Sequence, residues 1–282
     1  MKIAITGSTG KLGTHVINML KEKMASDDII ALARRPEAAA KMGVEVRLAE
    51  YDQHDTLHDA LKDVDILLLI SANEIGKRAK QHSNIIDAAK NRGVKWIVYT
   101  SLLHADKTSI NLAQEHLETE KMIKASGIPY TILRNGWYTE NYTSSVPGAI
   151  AGGAFAGCAG DGRLSLAARK DYAEAAVAVL TSDGHEGKTY ELAGDEDYTL
   201  EDLAKEISRQ RGKDIPYRNL PEHEYASMLK SFGVPEGFAS VLASWDVSAS
   251  KNDLHDNSGT LSKLIGRKTT PLSESVSEVV VN

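Results

Sequence analysis

The sequence contains little of what a secreted or membrane-inserted protein requires. Its 282 residues include one cysteine, Cys158, which excludes an intrachain disulfide and argues against a cysteine-built metal site. No apolar stretch approaches the roughly 20 residues that a membrane-spanning helix needs, and the run at residues 66–70 has the length of a strand. The first predicted strand begins at residue 2, which leaves no room for a signal peptide. We therefore expect a cytoplasmic protein without membrane insertion.

An excess of positive charge is also lacking. The formal net charge is −6, and the 33 basic and 39 acidic residues are interspersed without a long basic run. Nucleic acid is therefore not expected as a partner. The nine histidines show no metal-ligand spacing, so no metal is expected. The length suffices for one large domain, or for one domain with a smaller lobe.

The first fifteen residues carry the clearest pattern. A short β-rich run at residues 2–6 precedes three glycines at a G-x-x-G-x-x-G spacing, and apolar residues then recur with a helical period. This order is typical of a dinucleotide-binding turn, which holds a pyrophosphate on the amides of a helix N-terminus. An ordinary βα turn without a ligand is the alternative. The predicted cofactor-binding residues here are Gly7, Ser8, Thr9, Gly10, Lys11, Leu12 and Gly13.

The end of the second predicted strand, residues 29–33, indicates which nicotinamide cofactor binds. An NAD site usually has a carboxylate at this position, whereas a basic residue accommodates the 2′-phosphate of NADP. The sequence has Arg34 and Arg35 here, and a guanidinium suits a phosphate. We predict NADPH, bound by Arg34 ahead of Arg35. A solvated charge at the strand end is the alternative.

Strands and helices alternate as far as residue 134, which predicts an α/β Rossmann fold: a doubly wound parallel sheet with helices on both faces. The strand predicted at residues 64–70 is apolar almost throughout, as expected at the centre of such a sheet. It ends in Ser71, Ala72 and Asn73, at the edge where doubly wound sheets bind ligands. We predict that these three residues contact the cofactor, a plain βα loop being the alternative.

Past Arg134 the pattern changes, and we expect a smaller C-terminal substrate lobe. Residues 147–162 hold six glycines, which predicts a loop or a loosely helical lid, with a flexible surface loop as the alternative. A helix is predicted at residues 171–180, and Asp171 could cap it. The predicted NADP-binding Rossmann domain comprises residues 1–136 and 168–195. The predicted lobe comprises residues 137–167 and 196–282.

The sequence also lacks the Tyr-x-x-x-Lys pair of a typical short-chain dehydrogenase, since none of its ten tyrosines has lysine four residues later. Lys121 occupies a helical position that could correspond to that lysine, but Leu117 stands four residues before it. Ketone reduction forms a basic alkoxide and needs a general acid, whereas a quinone yields a weakly basic hydroquinone anion. The absence disfavours an alcohol dehydrogenase or a sugar-nucleotide epimerase. It is compatible with quinone reduction and with no catalysis.

Several segments together resemble the atypical short-chain dehydrogenase/reductases of the NmrA-like branch. Thr-Ser-Leu-Leu-His at residues 100–104 and Arg-Asn-Gly-Trp-Tyr at residues 134–138 are the more particular ones. The glycine turn and residues 184–194 add to them, so that the resemblance covers essentially the whole chain. Within the branch, the bacterial members that reduce quinones with NADPH are the most similar.

The resemblance implies direct hydride transfer from NADPH to a quinone, giving hydroquinone, with flavin not expected. It implies that the quinone lies in a cleft under the lobe. It also implies that Ser101 orients substrate, or else is a structural cap of its strand. The further cofactor contacts that it implies are Asn135, Gly136, Trp137, Tyr138 and Arg169. The substrate-cleft candidates are Trp137, Tyr138, Asn141 and Lys121.

Other interpretations stay open. Trp137 could belong to the core, and Arg169 could be an ordinary charge at the start of a helix. The protein could be a non-catalytic NmrA-like sensor that binds NADP(H) and a regulatory protein. A homodimer is compatible with the sequence.

Overall fold

The computed structural model of the protein describes residues 1–280. The chain divides into two compact units. Unit 1 comprises Met1–Asp106, Leu112–Asn135 and Arg169–Glu191. Unit 2 comprises Lys107–Asn111, Gly136–Ala168 and Leu192–Asn282.

A seven-stranded sheet has the order β3-β2-β1-β4-β5-β6-β8, in which β1 to β6 pair in parallel. The order changes direction between the neighbours β1 and β4, and doubly wound sheets bind ligands beyond the carboxyl ends of such strands. The predicted fold class is therefore confirmed. The strands are β1 Ile3–Ile5, β2 Ile29–Ala33, β3 Glu45–Leu48, β4 Ile66–Leu69, β5 Trp96–Leu102, β6 Tyr130–Asn135 and β8 Thr189–Leu192.

The core of unit 1 covers both faces of this sheet. All residues of β1, β2, β4 and β5 are buried, as is usual for parallel strands beneath helices. Ala4 and Leu67 share one hydrophobic cluster with Ile85. Ile3 and Leu68 point to the opposite face, because side chains alternate along a strand. The helices are α1 Lys11–Lys21, α2 Pro36–Ala39, α3 His54–Ala60, α4 Arg78–Arg92, α5 Ala113–Ser126 and α8 Arg169–Leu180, with 3₁₀ turns at Ser26–Asp28 and Ala40–Met42.

Unit 2 is mainly helical and contains one small parallel pair of strands. Strand β7 (Phe155–Gly157) pairs with β9 (Tyr217–Asn219), so that Phe155 lies opposite Tyr217. Its helices are α6 Glu140–Thr143, α7 Val146–Gly152, α9 Leu200–Arg211, α10 Glu222–Ser231, α11 Glu236–Ser250, α12 Thr260–Ile265 and α13 Leu272–Val280.

The prediction of a loop or lid at residues 147–162 needs correction. The segment contains most of α7 and the whole of β7. Two of its glycines allow close packing: a Cβ at Gly157 would lie 2.9 Å from Leu200 Cδ1, and one at Gly162 would lie 2.2 Å from the Ala249 carbonyl oxygen. At Gly157 and Gly162 glycine meets a packing constraint, and the sequence alone does not distinguish such a glycine from one in a loop.

The prediction that Asp171 caps its helix is wrong. Helix α8 begins at Arg169, so Asp171 lies inside the first turn, and it is fully buried. An acidic residue in the first turn is favoured by the helix dipole whether or not it caps the helix, which explains why the sequence pattern misplaced the boundary.

The single cysteine is buried in unit 2. The Cys158 amide donates to Asp246 Oδ2 at 2.9 Å, and its Sγ lies 3.3 Å from the Ala243 carbonyl oxygen. Burial, followed by the nearby charge of Asp246, raises the pKa of the Cys158 thiol to about 12. The thiol is therefore neutral at physiological pH.

Candidate cofactor-binding site

The glycine turn between β1 and α1 leaves no room for side chains at its narrowest point. Gly7 has a φ of +57°, and the Gly10 amide donates to the Gly7 carbonyl oxygen at 2.9 Å. A Cβ at Gly13 would lie 2.4 Å from that same oxygen. The turn thus brings the start of α1 against the end of β1, as a pyrophosphate-binding turn requires.

The other residues of the turn differ in what they can offer a ligand. Ser8 is buried, and its hydroxyl donates to the Leu32 carbonyl oxygen at 2.8 Å, so its side chain ties the turn to β2. Leu12 packs its side chain in the core. Thr9 and Lys11 are exposed. The first amides of α1 have no carbonyl acceptor within the helix, so they are available to bind an anion.

Arg34 directly follows β2, the strand next to β1. Its side chain is 59% exposed, and Nη1 donates to Glu74 Oε1 at 2.8 Å. Lys77 Nζ lies 3.3 Å from Glu74 Oε2, and hydrogen bonding to Lys77 lowers the pKa of the Glu74 carboxyl. Two cations thus share one carboxylate beside the segment that follows β4.

Segment 70–77, between β4 and α4, contains the predicted residues Ser71, Ala72 and Asn73. The Ser71 amide donates to Thr100 Oγ1 at 3.0 Å, and the Ala72 amide donates to His82 Nε2 at 3.0 Å. Ser71 and Ala72 are half-buried and Asn73 is exposed. The segment lies at the same sheet edge as the glycine turn and Arg34, because β2, β1 and β4 are adjacent parallel strands.

A partly buried ion cluster lies at the carboxyl ends of β5 and β6. Arg134 binds Glu120 through two nitrogens, each at 2.9 Å, and its Nη1 lies 2.7 Å from Asp106 and 2.8 Å from Glu191. The hydrogen bond to Glu120 is the main reason that the pKa of Arg134 is raised. The Ser101 hydroxyl donates to Glu120 Oε1 at 2.6 Å. This donation supports a structural role for Ser101.

Asn135, at the end of β6, is buried, and within residues 1–280 its side-chain oxygen has no hydrogen-bond partner. A buried acceptor without a donor fits a ligand that brings one, such as a carboxamide. Lys121 is exposed on α5, whereas its neighbour Glu120 is buried. Arg169 is the half-buried first residue of α8.

The remaining predicted residues belong to unit 2. Trp137 is half-buried and makes an edge-to-face contact with Trp245 of α11, with 5.2 Å between ring centroids. Trp245 Nε1 donates to Asn111 at 2.8 Å, and Phe238, one heptad earlier, contacts the same ring. Tyr138 forms an isolated parallel β-bridge with Ala167. Gly136 is buried, and Asn141 is exposed.

Sequence reasoning missed the side chains that support these segments, including His82, Glu115, Glu120 and Trp245. The first three occur on helices among other polar residues, where a solvent-facing role is the default interpretation. The seven-residue spacing of Phe238 and Trp245 was an available signal for a shared helix face. Among residues 1–280, no cluster of His, Cys, Asp and Glu could hold a metal ion, and no helix is long and apolar enough to cross a membrane.

The fold and the glycine turn define a dinucleotide-binding Rossmann protein. The profile of the NmrA-like family matches residues 1–279, so the chain belongs to the NmrA-like family. It is 54% identical over 280 residues to quinone oxidoreductase 2 of Escherichia coli (strain K12), covering 98% of each chain. The crystal structure of an Escherichia coli NADPH-dependent quinone oxidoreductase with NADPH matches with a TM-score of 0.96 at 53% identity, over 99% of this chain and all of that one. A Citrobacter triphenylmethane reductase complexed with NADP(H) matches with the same TM-score at 38% identity, over 99% of this chain and 100% of that one.

We predict that Gly13→Ala destabilises the protein by about 1–3 kcal/mol, because the added methyl collides with the Gly7 backbone. Urea unfolding measures the change. Gly148→Ala is the matched control, since Gly148 lies in α7 with no atom within 4 Å of the added Cβ, and we expect it to be neutral or slightly stabilising. Equal stability of the two variants would contradict the tight turn.

We predict that Ser101→Ala lowers the free energy of unfolding by about 1–3 kcal/mol, because a buried hydrogen bond to a carboxylate is lost. Quinone turnover by the folded variant is expected to stay within about threefold of that of the unaltered protein, a span worth less than a kcal/mol. Ser240→Ala, at an exposed site in α11, serves as the control. A large loss of turnover with unchanged stability would instead give Ser101 a role in orienting substrate.

Proposed function

We propose that the protein is an NADPH-dependent quinone reductase that transfers hydride directly to a quinone without a flavin. The observation that carries this proposal is the similarity to Escherichia coli quinone oxidoreductase 2 over 98% of both chains. The glycine turn and the arginine at the end of β2 fit the cofactor named for that relative's structure. A non-catalytic sensor is not favoured, because the similar proteins reported above are named as reductases or oxidoreductases. Their sequences are 53–54% identical to this chain for the quinone oxidoreductases and 38% identical for the triphenylmethane reductase.

We propose a complementary group of the chain for each of three parts of NADPH. The first amides of α1 fit the pyrophosphate, and the Arg34 guanidinium fits the 2′-phosphate. Glu74 accepts a hydrogen bond from Nη1 of the same guanidinium. The orphan oxygen of Asn135 fits the carboxamide amide. When bound, NADPH supplies a hydride. The further contacts that we propose come from Ser71, Ala72, Asn73, Gly136, Trp137, Tyr138 and Arg169.

The reaction needs a flat acceptor more than it needs an acid. Hydride addition converts a quinone to the delocalised hydroquinone anion, and this anion then takes one proton from water or a nearby donor. We propose that the acceptor ring packs against Trp137 and Tyr138, with Trp245 supporting Trp137 edge to face. Orientation of the ring is then the main contribution of these residues. Asn141 and Lys121, both exposed, are the polar candidates on the acceptor side.

We propose that this reaction takes place in the cytoplasm. We also propose a homodimer as the assembly to test. Sedimentation at several concentrations tests the assembly: a single species of 30.6 kDa would contradict a dimer.

The decisive experiment is the initial rate of NADPH oxidation by the purified protein with a panel of simple benzoquinones and naphthoquinones. We expect quinone-dependent oxidation, much slower oxidation of NADH, and no flavin absorbance in the protein. NADPH binding without turnover would favour the sensor. A stoichiometric flavin spectrum would overturn direct transfer.

We predict that Arg34→Ala raises the dissociation constant for NADPH by about tenfold to a hundredfold, because a charge-assisted bond to the 2′-phosphate is lost. Binding of NADH, which has no 2′-phosphate, should change less than about twofold. Titration of protein fluorescence with each cofactor measures both constants.

Arg35→Ala is the matched control for Arg34→Ala. It removes the same charge from the next position, where the residue precedes α2. We expect the Arg35 variant to retain the preference for NADPH. Equal losses of NADPH and NADH affinity in the Arg34 variant would remove the basis of the 2′-phosphate assignment.

A further inference from the structure

Segment 70–77 has no helix or strand of its own, yet side chains from neighbouring elements fix its backbone. Besides the two amides bound by Thr100 and His82, the Ala72 carbonyl oxygen accepts from Arg78 Nε at 2.8 Å. Both polar backbone groups of Ala72 are therefore bound by α4, the helix that follows the segment. Ala72 is the middle residue of the three that we assign to the cofactor.

The direction of each hydrogen bond at His82 follows from its partners. Thr119 Oγ1 donates to the Glu115 carbonyl oxygen at 2.9 Å, so it accepts from His82 Nδ1, also at 2.9 Å. A backbone amide can only donate, so His82 Nε2 accepts from Ala72. The hydrogen bonds to Thr119 and to Ala72 therefore require the same neutral tautomer of His82, with the proton on Nδ1.

The surroundings of His82 preserve this arrangement. The residue has no exposed surface, and its ring packs edge to face on Tyr99 at 5.5 Å between centroids. Burial, with a smaller contribution from the charge of Arg78, lowers the pKa of His82 to about 3. The imidazole therefore stays neutral, and Nε2 stays an acceptor, across the physiological pH range.

A second contact fixes the far side of the segment. Glu115 Oε1 accepts from the Gly76 amide at 2.9 Å, and Glu115 Oε2 lies 3.1 Å from Arg78 Nη1. Arg78 and Glu115 have largely buried side chains. His82 and the Arg78–Glu115 pair thus hold the segment from within unit 1, and His82 is the member that binds the central amide.

We propose that His82 is a positioning residue of the NADPH site, which holds the Ala72 amide so that residues 71–73 keep the backbone shape that the cofactor binds. The inference rests on the proposed function, since it takes residues 71–73 as cofactor contacts. It assigns His82 no contact with substrate and no proton transfer. Loss of His82 should therefore weaken cofactor binding much more than it slows the reaction at saturating NADPH.

Two substitutions distinguish the contribution of the His82 hydrogen-bond acceptor from that of the size of its ring. His82→Leu removes the acceptor and leaves the Ala72 amide unbound. His82→Gln keeps a carbonyl oxygen at about the reach of the imidazole Nε2. We expect His82→Leu to raise the dissociation constant for NADPH by about tenfold, the size of a lost buried hydrogen bond. We expect His82→Gln to recover most of the affinity, and both variants to keep kcat within about threefold, less than a kcal/mol in the barrier.

His116→Leu is the matched control. His116 is buried in the same core, but its Nδ1 is hydrogen-bonded to the Tyr99 hydroxyl at 2.8 Å rather than to the segment. We expect it to lose stability to a similar extent as His82→Leu, while it binds NADPH within about twofold of the unaltered protein. The pair therefore distinguishes a positioning role from general damage to the core.

Hydrogen exchange of the Ala72 amide in the cofactor-free protein gives a readout that does not depend on activity. We expect its protection to fall at least about tenfold in His82→Leu and to stay unchanged in His116→Leu. Unchanged NADPH affinity in His82→Leu, or equal losses in His82→Leu and His116→Leu, would overturn the inference. Failure of the unaltered protein to bind NADPH would instead overturn the proposed function, whatever the Ala72 amide does.

Discussion

Backbone groups at the carboxyl edge of the sheet must find partners after the strands have ended, and side chains provide them. Thr6 Oγ1 accepts from the Ile70 amide at 2.8 Å, one strand away. The Thr100 hydroxyl likewise accepts from the Ser71 amide after β4, whereas the Ser8 hydroxyl donates to the Leu32 carbonyl oxygen near the end of β2. An unpaired polar group in such a place is costly, so these side chains determine the course of each loop. The candidate site is thus built on satisfied backbone groups before any ligand arrives.

Much of the fold was readable from sequence because its signals are local. Strand β2 has the bounds that its apolar run and the arginines after it predict. Strand β7 gives no such signal, since three residues become a strand only when Tyr217–Asn219 lies beside them. The prediction for Asp171 was wrong for a related reason. An aspartate is typical of the first turn of a helix, but it does not show which position of that turn it occupies.

The residues of the candidate site also fall into two groups: those that a local sequence pattern predicts, and those that only the folded structure brings together. The glycine turn, Arg34 and Ser71 follow strands directly, so a linear pattern predicts their common edge. His82, Glu115 and Glu120 are polar residues on helices, and only tertiary packing shows that they face inward. Their identity matters through the bonds they make to residues remote in sequence, which periodicity does not encode.

The buried thiol of Cys158 has a consequence for durability. Quinones are electrophiles that add to thiolates, and the thiolate is the form that reacts. A reductase of quinones with an exposed, ionised cysteine would be arylated by its own substrate. Here the single sulfhydryl is enclosed and stays protonated, so the chain offers almost no sulfur nucleophile to the molecules it is proposed to reduce. Burial of Cys158 in unit 2 thus separates the single thiol from the electrophiles that the protein is proposed to reduce.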